Sequence, residues 1–317
     1  MKKLLISQRL PDTIEAAARA QFDVTSRGEA LPLSVEEARE ALQTYDAILP
    51  TLGDCFPKEA FSAQSHRCKL LANFGVGTNH IDTAAAHSAR IQVTNTPGAV
   101  TDATADIAMM LILMTARRAS EGEALLRACK WQGWRPTQML GMHIGGKRLG
   151  IIGMGRIGQA IAKRAHFGFG MEIQFYNRSP KPDLQTPAKQ INDLSALLST
   201  SDIVILAVPA TAQTHHLIGA TELTAMQSHA CLINIARGDV IDEAALIRAL
   251  QTGAIAGAGL DVYEQEPHVP QALRALPNTT LLPHLGTAAL EVRENMGQMA
   301  LDNLNAWRQG APLLNPV

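Results

Sequence analysis

Residues 150–158 read Gly150-Ile151-Ile152-Gly153-Met154-Gly155-Arg156-Ile157-Gly158, an apolar strand that runs into a G-x-G-x-x-G turn and then a helix expected to begin near Gln159. Gly153 permits the tight turn, Gly155 has no side chain to hold a pyrophosphate away, and Gly158 lets the helix lie close against the strand. The helix N-terminus adds free N–H groups and a partial positive charge. The turn, with Met154, Arg156 and Ile157 between its glycines, is therefore read as a dinucleotide phosphate site. The alternative is an ordinary strand-to-helix turn, because glycine triplets alone are a weak signal.

Around this turn, short apolar strand candidates alternate with helical stretches, which implies a parallel sheet with helices on both faces, an α/β fold. In the first hundred residues strands are expected at 3–6, 46–50, 69–74 and 91–94, with helices near 12–20, 35–43 and 81–89. Pro97-Gly98 breaks the pattern and marks a domain boundary. A helix over 101–118 follows, with Asp102 and Asp106 in its first turns and Arg117 and Arg118 in its last, as the helix dipole prefers. Six further strands are expected at 149–153, 172–176, 203–208, 230–235, 257–262 and 280–283, enough for a doubly wound nucleotide unit. The tail carries one helical pattern, 289–308, and is expected to return to the first unit. The domains so drawn are 1–97 with 286–317, and 98–285.

A chain of 317 residues with 46% hydrophobic content favours two domains over one. Its 28 basic and 29 acidic residues nearly cancel, which recommends neither nucleic acid nor an anionic membrane as partner and leaves a small soluble molecule. Cys55, Cys68, Cys129 and Cys231 form no C-x-x-C, and no His/Asp/Glu cluster has ligand spacing, so no metal is expected. Reduced thiols fit a cytoplasmic protein. Met1-Lys2-Lys3 precedes an apolar run that Ser7-Gln8-Arg9 interrupts, too early for a secretory leader, and the longest apolar stretch, 107–114, is too short to span a bilayer.

Ligands of open α/β sheets bind outside the carboxyl ends of the strands. Arg237 follows the strand ending Ile233-Asn234-Ile235-Ala236, Asp261 and Glu266 follow Ala258-Gly259-Leu260, and His284 follows Leu281-Leu282-Pro283. Taken singly, each has a plain structural reading: a solvated arginine, a capping aspartate, a satisfied histidine. Three strand ends delivering such groups beside a dinucleotide turn favour a catalytic reading. His66 and the pair His215-His216 lack that context and are read as structural.

At these residues the chain resembles the D-isomer-specific 2-hydroxyacid dehydrogenases. The blocks are Asn234-Ile235-Ala236-Arg237-Gly238, Gly259-Leu260-Asp261-Val262-Tyr263-Glu264-Gln265-Glu266-Pro267 and Leu282-Pro283-His284-Leu285-Gly286. Val93-Thr94-Asn95-Thr96-Pro97-Gly98 with Thr101-Asp102-Ala103-Thr104-Ala105-Asp106 extends the likeness, nearest to the glyoxylate/hydroxypyruvate reductase branch. Thr287-Ala288-Ala289 departs from the Ser-Ala-Thr usual there. The resemblance implies two doubly wound parallel-sheet domains, a Rossmann cofactor domain inserted into a flavodoxin-like substrate domain.

It also implies roles. Hydride delivery to a 2-oxo acid puts negative charge on the carbonyl oxygen, so a proton donor must stand beside it, and His284 takes that part. Glu266, on the other ring nitrogen, favours the charged imidazole. Arg237 offers a planar fork for the substrate carboxylate and carbonyl. Val76 and Gly77, in Gly75-Val76-Gly77, match the family's substrate loop, and Leu52 lies in another loop expected to shape substrate size. Pro209, Ala236 and Asp261 are implied against the cofactor. Trp134, in Trp131-Gln132-Gly133-Trp134, is either packing or, as in that branch, a residue that reaches the active site of the other subunit. The apolar face of 107–114 would then form a two-fold homodimer interface.

In NAD sites an acid about 20 residues past the glycines accepts from the ribose 2′-hydroxyl. Here the strand ends in Asn177-Arg178-Ser179, with no carboxylate to repel a 2′-phosphate. NADP(H) is the expected cofactor, with NAD(H) the alternative. The leading activity is reduction of glyoxylate and hydroxypyruvate to D-hydroxy acids. Alternatives are a larger 2-keto acid such as 2-keto-gluconate, and a non-catalytic NAD(H)-sensing dimer like the C-terminal-binding corepressors. Formate dehydrogenase fits less well, since that relative has glutamine in place of Glu266.

Overall fold

The structure, a computed structural model, describes residues 1–317. The chain divides into two compact units, Met1–Val100 with Thr287–Val317, and Thr101–Gly286.

The first unit has five strands, β1 (Lys3–Ile6), β2 (Asp23–Ser26), β3 (Ala47–Leu49), β4 (Leu70–Ala72) and β5 (Gln92–Thr94). All pair in parallel in the order β2-β1-β3-β4-β5, the flavodoxin-like arrangement. β3 and β4 are buried along their whole length, as continuous apolar runs in a covered parallel sheet should be. Leu5, Ile48, Phe56, Leu71 and Val93 share one core cluster. The terminal helix Leu290–Gln309 packs in this unit against helix Asp12–Arg19 and β4.

The second unit has seven parallel strands: β6 (Arg148–Ile152), β7 (Glu172–Tyr176), β8 (Ala188–Gln190), β9 (Ile203–Leu206), β10 (Cys231–Asn234), β11 (Gly257–Leu260) and β12 (Thr279–Leu281). Their order is β12-β11-β10-β9-β6-β7-β8. Counted from β6 this is the Rossmann order 3-2-1-4-5-6 with one strand added, and the order reverses between β6 and β9. The four side chains of β9, Ile203, Val204, Ile205 and Leu206, are fully buried. Burial of such side chains stabilises by roughly 1.5–3 kcal/mol each. The exposed pairs of Arg164 with Asp102 and Asp106 contribute about 0–1 kcal/mol apiece, so the apolar layers hold the sheet.

Several local expectations are corrected. The second sheet has seven strands, not six, because β8 is a polar three-residue edge; β2 was equally unsignalled. The fingerprint helix begins at Arg156 rather than near Gln159 and includes Gly158. The helix expected to reach Arg118 ends at Ala116, so no basic residue occupies its last turn. Arg118 instead adopts a left-handed φ of 54° and precedes a second helix, Ala119–Arg127, where its guanidinium pairs with both oxygens of Glu121. Residues Ala108, Met109, Leu111 and Ile112 lie in the unit's own core rather than on a free face. A group of exposed large apolar side chains follows that helix, at Leu126, Trp131, Trp134 and Leu140.

Candidate active site

β6 passes into the glycine turn through Gly153, whose φ of 101° belongs to glycine and whose added Cβ would lie 2.6 Å from the Ala207 carbonyl oxygen. A Cβ on Gly158 would strike the Gly153 carbonyl oxygen, which explains how closely this helix packs on the turn. Gly155 differs: a Cβ there would meet nothing within 4 Å. Only glycine keeps that space open at the start of a 14-residue helix whose N-terminus no side chain caps. A diphosphate fits this donor set.

The end of β7 fastens the turn. Gly153 N–H donates to the Tyr176 carbonyl at 2.9 Å, and Met154 N–H to Asn177 Oδ1 at 3.1 Å. Asn177 Nδ2 donates to the Ser179 carbonyl at 2.8 Å, so this amide shapes the loop. Arg178 is exposed, and its Nη1 donates to Gln213 Oε1 at 2.7 Å. Gln213 lies in the loop after β9, where Thr214 Oγ1 donates to the Pro209 carbonyl at 2.7 Å.

Three adjacent strands, β10, β11 and β12, deliver the catalytic candidates at their carboxyl ends. Asn234, at the end of β10 and 1% exposed, donates to the Arg237 carbonyl at 2.8 Å and accepts from the Ala236 N–H at 2.9 Å. That clamp fixes the backbone carrying Arg237, whose Nη1 donates to the Ala236 carbonyl at 2.6 Å. Burial pushes the Arg237 guanidinium below its usual value, while the charges of Glu266 and Asp239 act the other way.

Beyond β11, Glu266 Oε1 accepts from the Tyr263 N–H at 3.0 Å and Oε2 meets His284 Nδ1 at 2.8 Å. Burial opposes ionisation of Glu266, but the hydrogen bond and charge of His284, the Tyr263 N–H and Arg237 outweigh it and hold the carboxyl below its ordinary value. An ionised carboxylate only accepts, so Nδ1 carries a proton and Nε2 is the nitrogen left to exchange one. His284 and Glu266 keep 30% and 35% of their side-chain exposure, so a small molecule can reach the pair.

His284 sits at a φ of 55°, unusual for a non-glycine residue. Asp261, 2% exposed, holds it there through its carbonyl, which accepts the His284 N–H at 3.0 Å. Its carboxylate oxygens accept from Leu285 N–H at 2.6 Å and Gly286 N–H at 2.8 Å. Burial raises the Asp261 carboxyl despite these donors. Tyr263, whose hydroxyl lies 2.9 Å from the Leu282 carbonyl, ties β11 to the strand leading to His284. The fastening by Asp261, Asn234 and Tyr263 was missed by sequence reasoning; only the presence of Asp261 and Tyr263 in the same motif as Glu266 hinted at it.

In the first unit, Asn73 Nδ2 donates to the Gly75 and Gly77 carbonyls at 3.0 Å each, and Asn95 Nδ2 to the Val76 carbonyl at 2.9 Å. Because the N–H and C=O of a trans peptide point oppositely, the N–H groups of Val76 and Gly77 face away from Asn73 and Asn95. Leu52 packs over Gly75, where an added Cβ would lie 2.9 Å from its Cδ2. Trp134 is 80% exposed. His216 pairs with Glu264 at 3.0 Å and stacks on His215; His66 contacts the Phe61 carbonyl at 3.2 Å. No group of His, Cys, Asp and Glu side chains could hold a metal ion. No helix is long and apolar enough to cross a membrane.

Residues 109–286 match the family model described as D-isomer specific 2-hydroxyacid dehydrogenase, NAD binding domain. The chain belongs to the D-isomer-specific 2-hydroxyacid dehydrogenases. It is accordingly an oxidoreductase with a nicotinamide-nucleotide domain. This dehydrogenase is 42% identical over 313 residues to a glyoxylate reductase of Thermococcus gammatolerans, covering 97% of this chain and 93% of that one. It is 38% identical to a glycerate dehydrogenase of Hyphomicrobium methylovorum, covering 98% of each. Its fold matches, at a TM-score of 0.89 and 34% identity, the NADPH-dependent glyoxylate/hydroxypyruvate reductase of Sinorhizobium meliloti in complex with NADP and malonate, over 100% of this chain and 96% of that one.

Proposed function

We propose that this dehydrogenase reduces small 2-oxo acids, glyoxylate and hydroxypyruvate first, to D-2-hydroxy acids with NADPH. The carrying observation is the 2.8 Å contact of Glu266 with His284 Nδ1, which frees Nε2 for proton transfer, while the charge of Arg237 reaches the same carboxylate. A reduced nicotinamide cofactor, held through its diphosphate at the glycine turn, would supply the hydride for the carbonyl carbon. His284 gives the carbonyl oxygen its proton, and Glu266 stabilises the imidazolium before that transfer. Arg237 holds the substrate carboxylate and polarises the carbonyl. The N–H groups of Val76 and Gly77 take another carboxylate oxygen, and Leu52 limits substrate size.

Gly153, Met154, Gly155, Arg156, Ile157 and Gly158 would hold the phosphates, and Pro209, Ala236 and Asp261 would contact the rest of the cofactor. Arg178 reads the 2′-phosphate with Ser179, on the loop that Asn177 shapes. The absence of an acid at 177–179 and the NADP bound by the Sinorhizobium meliloti reductase support NADP(H) over NAD(H). Exposed Leu126, Trp131, Trp134 and Leu140 support a homodimer in which Trp134 of the partner subunit contacts substrate. Four unpaired cysteines support a cytoplasmic setting.

Steady-state rates with a panel of 2-oxo acids and both cofactors test this reading. Glyoxylate and hydroxypyruvate should exceed 2-keto-gluconate in kcat/KM. Turnover of none of them would leave the nucleotide-sensing alternative.

A further inference from the structure

β6 lies between β9 and β7, so the loops after those two strands flank the glycine turn at the end of β6. Both loops are pinned. On the β7 side, Asn177 ties Met154 to Ser179, and Gln190 Nε2 donates to the Asn177 carbonyl at 3.2 Å. On the β9 side, Thr211 N–H donates to Thr214 Oγ1 at 2.8 Å, and that hydroxyl donates to the Pro209 carbonyl. The bond from Arg178 Nη1 to Gln213 Oε1 joins the two. It fixes the direction of a long, exposed side chain that otherwise samples many rotamers.

The acceptor is an amide. It orients the guanidinium without neutralising it, and four of the five arginine N–H donors stay open to another partner. A carboxylate at the same place would pair with Arg178 and repel an incoming dianion.

We propose that Gln213 is a specificity-determining residue, aiming Arg178 at the 2′-phosphate of the adenosine ribose through a neutral hydrogen bond. The proposal rests on the NADP reading above and adds the residue that makes Arg178 selective.

Calorimetric titration with 2′,5′-ADP and 5′-AMP reads this subsite without turnover. The wild type should bind 2′,5′-ADP roughly ten-fold or more tighter than 5′-AMP, the scale of a charge-assisted pair. Gln213→Glu should erase about ten-fold of that ratio, more at low salt, where charge repulsion is least screened. Gln213→Leu, which keeps the charge of Arg178 but not its aim, should lose roughly two- to five-fold, with 5′-AMP affinity within about two-fold in both variants. The NADPH/NADH ratio of kcat/KM should follow. If Arg178→Ala abolishes the preference and Gln213→Glu retains it, Gln213 is only a loop tie and the proposal falls. If the wild type does not distinguish the two nucleotides, the NADP reading itself fails and carries the proposal with it.

Discussion

Glu266→Gln changes one heavy atom of the proposed catalytic pair and leaves its shape. Both carboxylate oxygens are engaged, Oε1 with the Tyr263 N–H at 3.0 Å and Oε2 with His284 Nδ1 at 2.8 Å. An amide offers one oxygen and one NH2, so it cannot accept at both places. With its oxygen on Tyr263, its NH2 meets Nδ1 and selects a neutral ring; with its oxygen on Nδ1, the Tyr263 N–H loses its acceptor. In both arrangements the imidazolium loses a carboxylate partner. A hydrogen bond to a charged group contributes about 1.5–3 kcal/mol. At 1.36 kcal/mol per decade this is roughly a 10- to 150-fold loss in kcat/KM for glyoxylate. The loss has a sign in pH. Glu266 is held below its ordinary value, so its carboxylate charge is fully present above the usual carboxylate range and is lost only as pH falls through that lowered value. Across about pH 5.5 to about 9 the wild-type carboxylate is therefore ionised, and the variant should fall furthest behind at the alkaline end, where protons for the ring are scarce. Initial rates with NADPH over that range, with cofactor affinity measured separately, are the assay. A variant profile that runs parallel to the wild type at every pH would refute the pairing as a source of rate.

His284→Ala should lower kcat by about 100-fold or more while cofactor affinity moves less than about two-fold; near-normal turnover would remove His284 from the chemistry. Arg237→Lys should raise KM for glyoxylate and lower kcat together, because a point charge cannot span carboxylate and carbonyl; a change in cofactor affinity alone would assign Arg237 to the nucleotide instead. In Gly238→Ala the new Cβ would fall on the Tyr263 carbonyl and the Glu264 nitrogen, forcing the Arg237 and Glu266 loops apart. Urea denaturation should register at least about 1–3 kcal/mol of lost stability, the range for overpacking, and wild-type stability with wild-type rates would contradict the close approach.

The sequence makes the buried part of the fold legible and its margins obscure. β3, β4 and β9 are apolar throughout, and β10 up to its last residue Asn234, because both faces are covered, and such runs stand out against polar loops. Asp23-Val24-Thr25-Ser26 and Ala188-Lys189-Gln190 form strands only because a neighbour offers them an edge, and nothing in their own pattern says so. At the site the same division holds. Strand ends mark Arg237, Glu266 and His284 as candidates, whereas the bonds from Asp261 to Leu285 and Gly286 join residues 24 and 25 positions apart that no local period connects. The run 107–114 is ambiguous for a related reason: apolarity marks a surface to be covered but not its cover, and the helix's own domain buries Ala108, Met109, Leu111 and Ile112 while Ile107, Met110, Leu113 and Met114 stay half-buried.

The interruption of the first unit by the second imposes an order on biosynthesis. The sheet of residues 1–100 is completed by helix Leu290–Gln309 and by the strand-like contacts of Asn95 with Asn315 and Val93 with Val317, all supplied by residues translated after the second unit. The inserted unit is continuous and can close first, although it is translated second. Until then the first hundred residues emerge with an apolar helix seat around β4 still bare. A nascent chain that has released the second unit but not yet helix Leu290–Gln309 therefore carries exposed apolar surface in the first unit alone, the kind of surface through which partly folded chains aggregate.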